Sequence, residues 1–227
     1  MVKEAGHVVG GIAKLLLWPL RKIVDGANSA LERFSSRVEK KLEGVPADRL
    51  LPAPATIAGP AALHYALLGD GEEVADLREL FENLLMSAMD SATAGSVHPA
   101  FVTVISQMTA EDAWVAKSIT QHDYAAFNVF QQFPDGTKRP HGLYALLGID
   151  AVKDPRLRAR CISNLDRLGI VAVGGNSPSN PREYEELKKV VEADFPEGTD
   201  TWSLGTVVAV TPFGQQFLDT CVRVRRT

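Results

Sequence analysis

Three arginines on one predicted helix form the clearest chemical pattern in the sequence. The helix follows Asp154 and places Arg156, Arg160, Ser163 and Arg167 on the face opposite its apolar stripe. Guanidinium groups on such a face suit contacts to phosphates and base edges, if the helix enters the major groove of DNA. The alternative is an ordinary solvated helix face. Because acidic residues adjoin the arginines and the chain is acidic overall, the sequence favours this alternative.

No other residues form a recognised catalytic or metal-binding pattern. The histidines are scattered, without an HExxH motif or a His/Cys pair at metal-ligand spacing, and no GxSxG, Walker or GxGxxG motif occurs. His98 precedes Pro99 at a helix start, where we expect it to cap or to pack. Cys161 and Cys221 are expected to be buried apolar residues. We therefore expect no catalytic residue, no cofactor and no metal, and a protein that is not an enzyme.

The N-terminal segment, residues 1–43, carries a long amphipathic pattern. Apolar residues follow each other at three- or four-residue steps from Val8 to Leu42, which predicts a helix that Pro19 kinks. Such a helix must cover its leucines with the protein body, a partner chain or a lipid interface. The sequence favours packing or self-association, and membrane contact is the alternative. The residues at which either contact is expected are Ile12, Lys14, Leu16, Leu20, Arg21 and Lys22.

The charge of the chain is unevenly distributed. The net charge of −4 over 227 residues argues against a general polyanion binder. Residues 1–42 nevertheless contain eight Lys or Arg against four acids, so they carry +4 and the rest carries −8. We find no secretory signal and no apolar run long enough to cross a bilayer. The expected location is cytoplasmic, or peripheral to the inner membrane face if the N-terminal segment binds lipid.

Prolines and turn residues divide the remaining chain into three parts. Prolines at 46, 52, 54 and 60 predict a Pro/Ala linker over residues 44–60, followed by a helix that starts at Pro60. Residues 61–150 are predicted to form a central helical region. Within it, residues 123–150 are expected to be mostly loop, because their aromatic residues show no steady period.

The third part, residues 151–227, has the element order of a winged helix-turn-helix module. Asp154, Pro155 and Gly169 delimit its first helix. Strands are predicted at 170–173 and 206–210, with a helix at 182–195 between them and a final helix from Thr211. The predicted fold is therefore mainly α, with a helical bundle, a C-terminal winged-helix-like module and an N-terminal amphipathic helix.

Several short strings occur together in an order that resembles the abortive infection alpha family of bacterial proteins. They are RLLP at 49–52, ENLL at 82–85, SAMD at 87–90, VHPAF at 97–101, MTAEDA at 108–113, NLDRLGI at 164–170 and TPFGQQF at 211–217. The resemblance covers roughly residues 45–222 and leaves the N-terminal segment, residues 1–43, outside.

The resemblance implies a role in abortive infection, in which an infected cell stops growing or dies so that phage cannot spread. It brings no catalytic residue with it. The expected function is phage defence through protein or membrane contact, with a protein partner or a second copy as the favoured partner. A winged-helix DNA-binding regulator is the alternative.

Leu165 lies on the inner stripe of the helix that follows Asp154. We expect Leu165→Ala to lower the free energy of unfolding by about 2–5 kcal/mol, the usual range for a buried leucine. Urea denaturation of the two proteins measures the difference. A change below about 0.5 kcal/mol, typical of surface positions, would mean that Leu165 is not part of the core.

Overall fold

A computed structural model describes residues 28–148, 150–175, 181–195 and 201–223. They form two compact units. The first unit contains the described residues up to Ala110 together with the C-terminal residues from Gln216. The second unit extends from Glu111 to Gln215.

The first unit is helical. Its α-helices are α1 (Asn28–Leu42), α2 (Ala55–Leu67), α3 (Ala75–Ala88) and α4 (Ala100–Ser106), and the C-terminal segment adds a π-helix (Leu218–Val222). Short 3-10 turns occur at Ala47–Arg49, Glu72–Val74 and Ala94–Ser96. Helix α3 is central, because it contacts α1, α2, α4 and the π-helix and is buried along most of its length.

The buried carboxylate of α3, that of Glu82, is paired. The Glu82 carboxylate accepts hydrogen bonds from Arg37 Nη1 (3.4 Å) and Tyr65 Oη (3.2 Å), and Lys41 Nζ lies 3.7 Å from it. Burial and the Glu82 charge raise the pKa of Tyr65 to about 12. Since a buried carboxylate without cations would be costly, this cluster fixes α1 and α2 against α3.

Two further α3 side chains hold the C-terminal segment. Asn83 Nδ2 donates to the Cys221 carbonyl (2.8 Å), and Ser87 Oγ donates to the Thr220 carbonyl (2.9 Å). Phe217 is also part of this unit, where its ring meets Phe101 edge-on at 5.4 Å between centroids. The chain end therefore completes the helical unit.

Part of the predicted N-terminal amphipathic stripe is buried in this unit. Helix α1 buries four residues of this stripe, namely Leu31, Phe34, Val38 and Leu42. The expected contact residues Ile12, Lys14, Leu16, Leu20, Arg21 and Lys22 lie outside the described residues.

Helix α2 begins five residues before the predicted start. It extends from Ala55 through Pro60, so part of the predicted linker over 44–60 is helical. A proline inside a helix removes one backbone hydrogen bond and clashes with the preceding turn. Burial of one side of the helix, including Ile57 and Tyr65, offsets this cost.

The second unit is built on a four-stranded antiparallel sheet in the order β2-β1-β4-β3. The strands are β1 (Asp123–Gln132), β2 (Lys138–Ala145), β3 (Val171–Gly174) and β4 (Thr201–Val210). The helices are α5 (Ala110–Lys117), α6 (Pro155–Arg167), α7 (Pro181–Ala193) and α8 (Pro212–Phe217), of which α5 and α8 span the unit boundary. Helix α6 packs on β2 and β3, and α7 packs on β1 and β2.

The prediction of a loop over residues 123–150 was wrong, because β1 and β2 form a long hairpin there. Its apolar residues do not alternate. Tyr124, Ala125 and Ala126 are buried in succession, so the period of two that marks a half-exposed strand is missing. The chain is thus mainly helical but also contains a sheet, of which the sequence indicated only the two later strands.

The predicted element order of the C-terminal part is present in α6, β3, α7, β4 and α8. Leu165 is fully buried on α6. However, β3 and β4 belong to the larger sheet, with β1 on the other side of β4. The winged-helix assignment therefore stays a prediction. Over the described part of the chain, no helix combines the length and the apolar character needed to cross a membrane.

Ser87→Ala tests the link between α3 and the chain end. The change leaves the buried Thr220 carbonyl without its side-chain donor, so we expect a loss of about 1–3 kcal/mol in the free energy of unfolding. Ser106→Ala is the matched control, because the Ser106 hydroxyl makes only a local, exposed bond to the Thr103 carbonyl. Equal losses for both variants in chemical denaturation would contradict this role for Ser87.

Candidate functional site

The three predicted arginines all lie on α6, which starts as the sequence indicates. The Asp154 side chain accepts a hydrogen bond from the Arg156 amide (2.9 Å), and Pro155 occupies the first helical position. Gly169, with φ near +75°, follows the end of the helix. The side chains of Arg156, Arg160 and Arg167 are exposed, as predicted.

Two of these arginines line a groove between α6 and β2. The groove has a volume of about 470 Å³. Its wall on α6 consists of Pro155, Arg156, Ala159, Arg160 and Ser163, and its wall on β2 consists of His141, Gly142, Leu143 and Tyr144. We call this surface the basic groove. None of its lining residues is acidic, although the chain as a whole is.

Arg167 is separate from the basic groove. Its Nε and Nη2 atoms donate to Asn164 Oδ1 at 3.0 and 2.8 Å, and Asn164 Nδ2 donates to Asp112 Oδ2 at 2.7 Å. The spacing that placed all three arginines on one helix face was therefore insufficient to place them in one site.

The β2 wall of the basic groove rests on a buried tyrosine. The Tyr144 hydroxyl donates a 2.5 Å hydrogen bond to Asp194 Oδ2, and burial together with Asp194 raises the pKa of Tyr144 far above its usual value. The His141 ring lies 4.5 Å from the Phe195 ring, between centroids. These contacts hold the β2 side of the groove against the end of α7.

Arg158 was overlooked in the sequence. Only 1% of it is exposed, and its Nη1 atom donates to the Val152 carbonyl at 3.2 Å. Its Nε and Nη2 atoms have no hydrogen-bond partner among the described residues, and burial lowers the pKa of its guanidinium. The sequence did contain a signal, because Arg158 is three, four and seven residues before Cys161, Ile162 and Leu165, which form the buried face of α6.

His98 has the structural role expected from the sequence. Its Nδ1 atom accepts a hydrogen bond from the Ala100 amide (3.1 Å), and its ring packs near Phe101. Within the described ranges, no three His, Cys, Asp or Glu side chains come together as a metal site would require.

These features define an α+β protein with one helical unit and a basic groove in the other unit. Residues 26–221 match the model of the family described as Abortive infection alpha, and the chain belongs to this family. The resemblance found in the sequence is thereby confirmed. Family membership connects the chain with abortive infection, and thus with defence against phage, without specifying a mechanism.

Comparison with solved structures gives a more distant similarity. It is to an uncharacterized protein from the hydrocarbon-degrading marine bacterium Alcanivorax borkumensis SK2, at 14% identity and a TM-score of 0.34. The alignment covers 57% of this chain and 94% of the other. None of the curated proteins compared with the chain matches it.

The two cysteines are expected to be unreactive in the folded protein. Burial and the nearby Asp112 raise the pKa of Cys161 to about 12, and burial raises the pKa of Cys221 as well. Because the thiolate is the reactive form and these pKa values lie above the assay pH, a disulfide reagent such as DTNB at pH 8 should label neither thiol. Both should react in guanidinium chloride. Rapid labelling of the native protein would contradict this burial.

Proposed function

We propose that this chain is a phage-defence protein that acts by contact with a second copy of itself. It has no catalytic activity of its own. The family supports the role in defence. The mode of action rests on one observation, an apolar helix face that is exposed on the first unit.

This face belongs to α2, which contains no Lys, Arg, Asp or Glu. One side of α2 is buried, yet Leu63 is 44% exposed and Leu67 is 73% exposed on the other. Thr56 and Pro60 continue the same exposed line at three- to four-residue steps. We call these four residues the α2 apolar face. An exposed helix face that carries large apolar side chains often marks a surface that a partner covers.

Helix α1, the last part of the N-terminal segment, packs on the buried side of α2. Arg33 Nη2 on α1 lies 2.7 Å from Asp70 Oδ1, just beyond the end of α2, and the Phe34 and Tyr65 rings are 4.5 Å apart. In a two-fold dimer the α2 apolar face of each copy meets that of the other, so both faces are covered.

The two alternative hypotheses, lipid binding and DNA binding, have less support. Lipid binding at this face would gain little from electrostatics, because α2 has no Lys or Arg to meet anionic headgroups. A winged-helix DNA reader needs a helix that stands clear enough to enter a major groove about 12 Å wide. The arginine face of α6 is instead one wall of the basic groove, with β2 as the other wall.

The double variant Leu63→Gln and Leu67→Gln tests self-association. We expect the full-length chain to be a dimer by analytical ultracentrifugation, and the dimer dissociation constant of the variant to be at least about ten-fold higher. A tenfold change in this constant corresponds to about 1.4 kcal/mol, and a buried leucine contributes more than that. In a plaque assay, the variant should also lose most of the protection that the wild-type gene gives. Leu204→Gln is the control, because Leu204 is 52% exposed on β4 in the second unit.

A deletion of residues 1–24 should weaken the dimer as well. It stops before α1, because residues such as Leu31 and Phe34 belong to the core and their loss would unfold the unit. A wild-type chain that is monomeric at all concentrations would contradict the proposal. Sedimentation of the full-length chain with anionic liposomes, abolished by Leu16→Glu and Leu20→Glu together, would replace it with a membrane anchor.

A further inference from the structure

We propose that the basic groove is a binding site for a small phosphate ester of about the size of a mononucleotide. This goes beyond the proposed function, because it concerns the second unit and a different kind of ligand. The first support is the placement of the cations. Arg156 and Arg160 are four residues apart on α6, so their side chains leave the helix about 5–6 Å from each other at Cβ.

Arginine is suited to this task because its planar guanidinium binds phosphate oxygens through two parallel hydrogen bonds. Both guanidinium groups are exposed, and neither forms an ion pair with a described residue. Ser163 adds a hydroxyl on the same wall and His141 an imidazole on the opposite wall. The four side chains provide hydrogen-bond donors around a shared space that contains no lining carboxylate.

A further positive charge, that of the buried Arg158, lies on the same helix as the two lining arginines. A buried guanidinium with two unpartnered N–H groups is costly, and such groups usually have a structural or functional reason. Arg158 lies on the buried face of α6, not on the groove face with Arg156 and Arg160, and its charge acts on Tyr144, which forms part of the β2 wall. Asp154 and Asp194 are the carboxylates whose charges act on Arg158. In the groove itself, Arg156 and Arg160 supply positive charge and no lining residue is acidic, which favours an anion there.

The size and the walls of the groove select the class of ligand. A volume of about 470 Å³ fits the range of roughly 300–1,000 Å³ that is usual for small-molecule sites. Leu143, Tyr144, Pro155 and Ala159 supply apolar surface beside the arginines, which suits the non-phosphate part of an ester. The same arginines that suggested a DNA contact in the sequence line a space between two walls, which favours a small phosphate ester.

Isothermal titration calorimetry of the full chain with AMP tests the proposal, with adenosine and inorganic phosphate as partial ligands. We expect AMP to bind, phosphate to bind more weakly, and adenosine to show no measurable binding. Arg156→Gln with Arg160→Gln should weaken AMP binding at least ten-fold. The control is Arg139→Gln with Arg167→Gln, which removes the same charge from exposed positions outside the groove and should change binding less than two-fold.

A second variant tests the buried charge without altering the groove walls. Arg158→Met keeps an unbranched side chain in place, so the fold should be retained, and the melting temperature checks this. AMP binding should weaken at least three-fold. The proposal is overturned if AMP does not bind or if the two double variants weaken binding equally. It is also overturned if a 20-base-pair duplex binds more tightly than AMP with a steep salt dependence, because that result would restore the DNA-contact reading.

Discussion

The structure of the first unit depends on one buried carboxylate, Glu82 on α3. A charged group in a protein interior must be paired, and here Arg37, Lys41 and Tyr65 approach it from α1 and α2. Each of these helices also buries apolar residues against α3, but apolar packing alone tolerates sliding and rotation. The ion pairs and the hydrogen bond restrict the helices to positions in which all three partners reach the same carboxylate.

Several strings that carry the family resemblance contain such polar contacts. Asn83 and Ser87 bond to the returning chain end. Asp90 forms an ion pair with Arg49, which lowers the pKa of its carboxyl. In the second unit, the Thr211 hydroxyl accepts a hydrogen bond from the Gly214 amide at the start of α8 and donates to the Gly169 carbonyl. These side chains have structural partners, which explains how the family pattern can be specific without containing a catalytic motif.

The second unit buries a charged side chain that is only partly paired. Where Glu82 is surrounded by partners, Arg158 keeps two N–H groups without a partner among the described residues, and the neighbouring Arg156 and Arg160 face an open groove. Buried polar groups without hydrogen-bond partners are candidates for function, because they lower the stability of the fold and so call for another explanation. Leu63 and Leu67 on α2 are a comparable exception, because they are large apolar side chains that the fold leaves exposed.

The sequence by itself determined the local features of this protein. Asp154, Pro155 and Gly169 delimited α6, the stripe that contains Phe34 and Val38 identified the buried face of α1, and the ordered strings identified the family. The tertiary structure alone decided that β1 pairs with β2, that the chain end returns to Asn83 from 138 residues away, and that Arg156 and Arg160 face β2 while Arg167 does not. Caps and helical periods depend on neighbours within one or two turns, so they can be read along the chain. Strand pairing and a groove between two elements depend on contacts between distant segments, whose choice is governed by the packing of the whole unit and leaves no periodic mark in either segment.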